Sequence, residues 1–220
     1  LLKEKNSELD FLVKNLFLND VNGVIHVGAN TGQERFAYEL LGLDVLWIEP
    51  IKEIYSKLSN NIKDFNKQIS LNKLITDQDN QYYDFFITNN DALSSSMFEL
   101  KLHKRIWPNV KSQRKIRLKS HKLSTIFEKK NLNLSKYQAL IIDTQGSELL
   151  VLKGSEKILD QFKYIKLEVA DFESYKNCCQ LPEIIEFMEK NNYEKISRYS
   201  IGENNNIGYY YDLTFKKKDR

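Results

Sequence analysis

The chain contains no run of about 18 apolar residues, the length a membrane-spanning helix requires, and this predicts a protein without a membrane span. No secretory leader is expected within the sequence, because Leu1 to Lys14 mixes charged and apolar residues too evenly to form the apolar core of a signal peptide. The expected compartment is cytoplasmic, and a chain that begins at Leu1 rather than Met reads as trimmed. Cysteine is scarce. Cys178 and Cys179 are adjacent, a spacing that suits neither an ordinary disulfide nor a metal chelate, so both read as reduced, packed thiols and no metal site is expected. Histidine is limited to His26, His103 and His121, which restricts the side chains able to titrate near neutral pH. Acids are missing from Lys101 to Lys122, where nine Lys or Arg stand together. That stretch reads as a solvated basic edge, or as a rim that concentrates an anionic or nucleotide-linked acceptor. Nucleic acid is disfavoured, since Trp107 is the only aromatic residue there and stacking platforms usually carry several.

What is present fits one α/β domain: 220 residues, 41% of them hydrophobic and 12% aromatic, are enough for a sizeable core but short for two domains. Leu9 to Leu18 has helical apolar spacing and predicts an N-terminal helix within residues 1–20. Val24 to Val27 reads as a strand, Glu34 to Leu41 as a helix stopped by Gly42, and "DVLWIEP" as a second buried strand. Lys52 to Phe65 is helical by pattern, and "QISLNKLIT" reads as a third strand. Alternation of this kind builds a parallel sheet. Residues 82–120 differ: "YYDFFITNN" and "KIRLKSHKL" predict a hairpin-like insertion whose loop at 90–115 overhangs the acceptor side. The strand grammar then returns in "YQALIIDTQG", the helix "SELLVLKG" and the strand "YIKLEVA". A helix over Leu181 to Asn191 follows, with Pro182 in its first turn, and "YEKISRYS" and "YYYDLTFKK" form an antiparallel closing pair.

Gly28 and Gly32 follow the first strand, where the backbone of a doubly wound sheet approaches its ligand. Glu49 ends the next strand about 20 residues on, the place where a carboxylate accepts hydrogen bonds from a ribose diol. A nicotinamide dinucleotide would ask for G-x-G-x-x-G, but Asn30 occupies the second glycine position and no third glycine follows. S-adenosylmethionine carries no phosphate and suits a looser turn with polar neighbours such as Asn30, Thr31 and Gln33.

The segments "VIHVGANTGQE", "VLWIEP", "LIIDTQGSELLVLKG" and "LEVADFESYKNCCQLPEI", in that order, resemble the FkbM-type S-adenosylmethionine-dependent methyltransferases from about Gly23 to Lys217. The resemblance implies a Rossmann-like class I methyltransferase fold, with a mostly parallel seven-stranded sheet and helices on both faces. It also implies methyl transfer to a hydroxyl, often on a sugar in a glycan or glycolipid. Carried over by position, Gly28, Ala29, Asn30 and Gly32 form the cofactor turn, Glu49 holds the ribose, and Asn72 lies near the adenine. His26 stands where many relatives have aspartate, which changes the group facing the methionine end of the cofactor.

Methyl transfer from a sulfonium is an in-line displacement, so positioning dominates, and a sugar hydroxyl gains from a base within hydrogen-bond reach. Asp143, directly after the apolar run "ALII", falls at the carboxyl end of a central strand and is the expected base; the competing reading is that it caps the helix that follows or orders the loop backbone. Gln145 and Glu148 are polar alternatives, and Glu168 reads as shaping the acceptor pocket or as packing. His103, behind Ser94, Ser95 and Ser96, is the second catalytic candidate, against a surface histidine in a basic loop; His121 reads as an exposed strand residue. Other classes remain open: another small-molecule or nucleic-acid acceptor, or an inactive methyltransferase-like binding module.

Overall fold

Five consecutive buried residues, Gly23–Val27, form strand β1. An apolar run without alternation is what a strand covered on both faces requires. In the computed structural model, which describes residues 11–130, 132–204 and 206–219, the chain continues through β2 (Asp44–Ile48), β3 (Gln68–Leu71), β4 (Leu74–Ile75), β5 (Tyr82–Thr88) and β6 (Ser112–His121). It ends through β7 (Ala139–Ile142), β8 (Tyr164–Ala170), β9 (Tyr193–Asn204) and β10 (Gly208–Lys217). The helices are α1 (Arg35–Leu40), α2 (Lys52–Asn61), α3 (His103–Ile106), α4 (Leu123–Lys130), α5 (Glu148–Gly154) and α6 (Leu181–Lys190).

The main sheet has the order β3-β2-β1-β7-β8-β10-β9. All its pairings through β8 are parallel, and β10 is antiparallel to both β8 and β9. The order reverses between β1 and β7, the switch point where such sheets bind ligands. Each face is covered. Val24, Val45 and Trp47 pack with Tyr38 of α1 and Leu58 of α2. Ile25, Val27, Leu140 and Ile142 pack with Ile126 of α4, Val151 of α5 and Met188 of α6 on the other face. This is the doubly wound, Rossmann-like architecture that the sequence predicts.

Several local expectations need correction. "QISLNKLIT" is not one strand: β3 pairs with β2 in the main sheet, whereas β4 pairs with β6 in a separate three-stranded sheet of order β4-β6-β5. The cause is Asn72, whose amide donates to the carbonyls of Glu49 and Pro50 and turns the chain out of the main sheet. Helix α2 stops at Asn61 rather than Phe65, and β9 extends to Asn204 into the expected turn. Of the N-terminal helix, residues 1–10 lie outside the described residues; 11–14 are helical, and a 3₁₀ turn follows over Leu16–Asp20. The insertion is a β5–β6 antiparallel pair, as expected, but its connection also carries α3. Its small core of Phe85, Ile87, Ala92 and Met97 packs against Ile51, Ile54 and Leu74. Among the described residues no helix is long and apolar enough to cross a membrane.

Gly154 ends α5 against β4: an added Cβ would lie 2.1 Å from the Thr76 carbonyl oxygen, which is backbone and has little room to move. Gly154→Ala is therefore expected to destabilise the fold by about 1–3 kcal/mol, the usual cost of overpacking. Urea denaturation checks this, and a midpoint equal to wild type would show that the two segments separate freely.

Candidate active site

The β1–α1 turn is closed on itself. The N–H groups of Gly28 and Ala29 donate to the Ile48 carbonyl at 2.9 and 3.1 Å, and the Asn30 N–H donates to Glu49 Oε2 at 3.0 Å. The Thr31 N–H turns to Asn30 Oδ1, and the Gly32 N–H to the Ala29 carbonyl. With its donors engaged internally, the turn is not a phosphate cradle of the kind that binds a pyrophosphate. Asn30 adopts a left-handed φ of 44°, tolerated by its short polar side chain, and its amide also reaches the Asp91 carbonyl at 3.1 Å. That contact ties the turn to the loop at 91–95, where Asp91 and Ala92 both have positive φ.

A cavity of about 880 Å³, counting its open mouth, lies between this turn, the end of β2 and the insertion. His26, Gly28, Ala29, Asn30, Glu49 and Asp143 all line it, and Ile51, Leu74, Ile75 and Phe85 supply an apolar wall. Two expected members are elsewhere. Gly32 has φ 72°, but a Cβ there would meet Leu58 Cδ1 of α2 at 2.7 Å, so the glycine serves helix packing rather than ligand approach. Asn72 braces the end of β2 as described and is not among the lining residues.

Glu49 is buried, with Oε1 accepting the Ile51 N–H at 2.8 Å and Oε2 the Asn30 N–H. Burial pushes its carboxyl up to about 8, partly offset by those two donors. His26 is also buried; it stacks on Trp47 at 5.1 Å and its Nδ1 is 3.1 Å from the Tyr38 hydroxyl. Burial, reinforced by Lys166, lowers it to about 3, so it is neutral at physiological pH.

Asp143 follows β7 directly, its N–H donating to the Val27 carbonyl at 2.9 Å. The helix that follows has Ser147 at its N-cap and no side-chain cap bond, so Asp143 does not cap it. Glu148, its first residue, is buried and accepts the N–H groups of Thr144 and Gly146 in the preceding loop, which engages its carboxylate. Asp143 instead accepts from Gln145 Nε2 at 2.6 Å, and the same nitrogen lies 3.3 Å from Glu168 Oε1. Gln145 is held at φ 55° with its Oε1 2.8 Å from the Tyr175 hydroxyl. Burial raises Asp143 to about 7; the Gln145 donor opposes this, while Glu148, Asp212 and Glu34 add to it. Glu168 is raised well above the usual carboxylate range, by burial first and then by Asp143 and Asp212.

His103 is not a surface histidine. It is 2% exposed, its Nδ1 is 2.8 Å from the Tyr210 hydroxyl, and its Nε2 is buried without a hydrogen-bond partner. Burial lowers it to about 4. His121, read as an exposed strand residue, is on strand β6 but half-buried, paired with Ile75 of β4; both cysteines are buried and unbridged, in line with packed thiols. Among the described residues no group of His, Cys, Asp and Glu is arranged to hold a metal ion. What the sequence did not reveal is the Gln145–Tyr175 clamp and the His103–Tyr210 pair, whose partners lie 30 and 107 residues apart.

The Methyltransferase FkbM domain model matches residues 26–195. No sequence among curated proteins matches the chain. Solved structures of similar fold include the magnesium protoporphyrin IX methyltransferase ChlM from Synechocystis PCC 6803, with bound S-adenosylmethionine. It is 9% identical, with 97% of this chain and 77% of that one covered and a TM-score of 0.52. An rRNA methylase from Streptococcus thermophilus is 12% identical, with 94% and 95% covered and a TM-score of 0.52. The methyltransferase domain of bacterial CtHen1 is 12% identical, with all of both chains covered and a TM-score of 0.53. Identities this low carry the fold alone, whereas the family match spans most of the chain. The protein belongs to the FkbM methyltransferase family, whose methyl donor is S-adenosylmethionine.

Proposed function

We propose that the protein transfers a methyl group from S-adenosylmethionine to a hydroxyl oxygen of a sugar in a glycan or glycolipid, with Asp143 as general base and His103 as a second group facing the acceptor. The observation that carries this reading is Asp143 itself: a carboxyl at the switch point, free of capping duty, lining the main cavity with a raised pKa of about 7. A base matched to the working pH is what proton abstraction from a hydroxyl needs. The methyltransferases of similar fold act on a porphyrin and on rRNA, so the fold does not choose the acceptor. The sugar rests on the family resemblance.

The residues present fit the donor. Its nucleoside would lie between the apolar wall of Ile51, Ile75 and Phe85 and the Glu49 carboxyl, whose oxygens each keep acceptor capacity for a ribose hydroxyl beyond the one N–H already bound. The engagement of the Gly28 to Gly32 N–H groups within the protein suits a ligand without phosphate. When ionised, the Asp143 carboxylate makes a cation favourable nearby. When bound, the cofactor supplies an electrophilic methyl carbon on a sulfonium. Gln145 orients Asp143 by donating to Oδ1, which leaves Oδ2 to accept the acceptor's proton. Asp143 ends the step neutral, the form its burial favours.

Asp143→Asn keeps the shape of the site and removes the proton acceptor. Its turnover is expected to fall by about 10²–10⁴-fold, with affinity for S-adenosylhomocysteine near that of wild type. Calorimetry and a labelled-methyl assay on cell-extract acceptors measure both, and unchanged turnover would remove Asp143 from the role.

The buried carboxyls also set a stability trend. Glu49 and Asp143 hold their protons in the folded state up to about 8 and about 7, above their unfolded values of 4.5 and 3.8. Their contribution is intact below about pH 4 and is lost as pH rises through 7 to 8. His26 and His103, lowered to about 3 and about 4, are neutral in both states above their unfolded value of 6.5 and do not oppose the trend there. Without ligand, Tm is expected to fall between about pH 6.5 and about pH 8.5. A flat or rising Tm by scanning calorimetry would contradict these burial effects.

A further inference from the structure

The main cavity does not account for all the space around Asp143. A second cavity of about 560 Å³, counting its open mouth, adjoins it and shares Leu93, Asp143 and Gln145 with it. Resting on the reading of Asp143 as the base for methyl transfer, we propose that this second cavity is the acceptor subsite. We propose further that it takes an electrically neutral, hydroxyl-bearing ring, seated against the Trp107 indole and hydrogen-bonded by His103.

His103 gives the first ground. It lines this cavity, and Tyr210 fixes one ring nitrogen while Nε2 stays buried with no partner. A buried polar atom left unsatisfied costs about 1–3 kcal/mol, which a ligand hydroxyl would recover with either tautomer. The aromatic wall gives the second. Trp107 also lines the cavity and is fixed on several sides: its ring centroid is 4.7 Å from His103 and 5.0 Å from Tyr210. Gly202 of β9 packs so closely that an added Cβ would lie 2.9 Å from Trp107 Cη2. The held indole, with Leu93 and Ile201, gives the cavity apolar lining, and Asn90, Ser94 and Glu168 give it polar lining. Apolar surface together with hydrogen-bonding groups matches a sugar ring, which has C–H faces and a hydroxyl perimeter.

Charge decides the rest. No Lys or Arg lines this cavity, although Lys104 and Arg105 flank His103 in sequence; both are exposed. Burial keeps His103 neutral and favours the neutral form of Glu168, so Asp143 is the group whose ionisation matters there. A carboxylate or phosphate on the reacting ring would be desolvated beside Asp143 with no Lys or Arg in the lining to pair with it. An ammonium would pair with Asp143 and occupy the oxygen that must take the hydroxyl proton. Anion attraction by the basic stretch from Lys101 to Lys122 therefore acts at the rim and not on the reacting ring.

Saturation-transfer NMR on the whole chain with S-adenosylhomocysteine tests this, using methyl glucoside, methyl mannoside and methyl fucoside as neutral probes and glucuronate and glucosamine as charged ones. At least one neutral glycoside is expected to give signal, with both charged sugars weaker. The signal should be lost in Trp107→Ala, and in Gly202→Ala, which displaces the same indole if the first variant fails to fold. Retained S-adenosylhomocysteine affinity by calorimetry shows that a variant is folded. Wild type that fails to bind S-adenosylhomocysteine would overturn the methyltransferase reading itself. Normal cofactor binding with no neutral signal, with a charged sugar preferred, or with signal surviving in both variants would overturn the acceptor subsite alone.

Discussion

Backbone contact between Gly28 and Asp143 holds the site together. A Cβ on Gly28 would lie 1.7 Å from the Asp143 carbonyl oxygen, and Gly28 has φ 85°, so no other residue fits that position without moving β7 away from β1. The approach coincides with the reversal of strand order between those strands. It brings the turn carrying Asn30 and the loop carrying Asp143 and Gln145 to one crevice. Glycine thus acts here by letting two parts of the protein meet, and the ligand cavity is the consequence.

Around that contact the protein gathers four carboxyl groups, Glu49 and Glu148 buried and Asp143 and Glu168 half-buried. Glu49 and Glu148 are satisfied by backbone N–H groups, whereas Asp143 and Glu168 share one amide nitrogen of Gln145. Burial favours their neutral forms, and a cationic ligand would favour the charged form of Asp143 at the moment it is needed as a base. Under the proposed mechanism, binding of the donor and activation of Asp143 would be linked by the same electrostatics. His26 and His103, both neutral, leave that balance to the carboxyls.

Much of this was legible in the sequence because it is local. The strand–turn–helix run from Val24 to Leu41, the strand-end positions of Glu49 and Asp143, and the antiparallel closing pair all follow from apolar runs and their terminators. Positions whose role depends on distant partners were not legible. Gly32 looked like part of the ligand turn, yet its neighbour is Leu58 of α2. Asn72 looked like a nucleoside contact, yet its amide is spent on the Glu49 and Pro50 carbonyls, and that bond splits an apparently single strand in two. His103 sits in a stretch so basic that its composition suggests solvent, and only Tyr210, far along the chain, explains its burial. That Asp143 does not cap the helix, and that Glu148 is engaged by the Thr144 and Gly146 N–H groups, follows only from side-chain geometry.

The central claim is that the β1–α1 turn, Glu49 and the apolar wall of Ile51, Ile75 and Phe85 hold the nucleoside of a phosphate-free methyl donor. Its most direct test is a crystal structure of the protein with S-adenosylhomocysteine. The account predicts the ribose hydroxyls on the Glu49 carboxyl and the adenine against that wall. A nucleoside bound elsewhere, or the crevice closed by its own side chains, would contradict it.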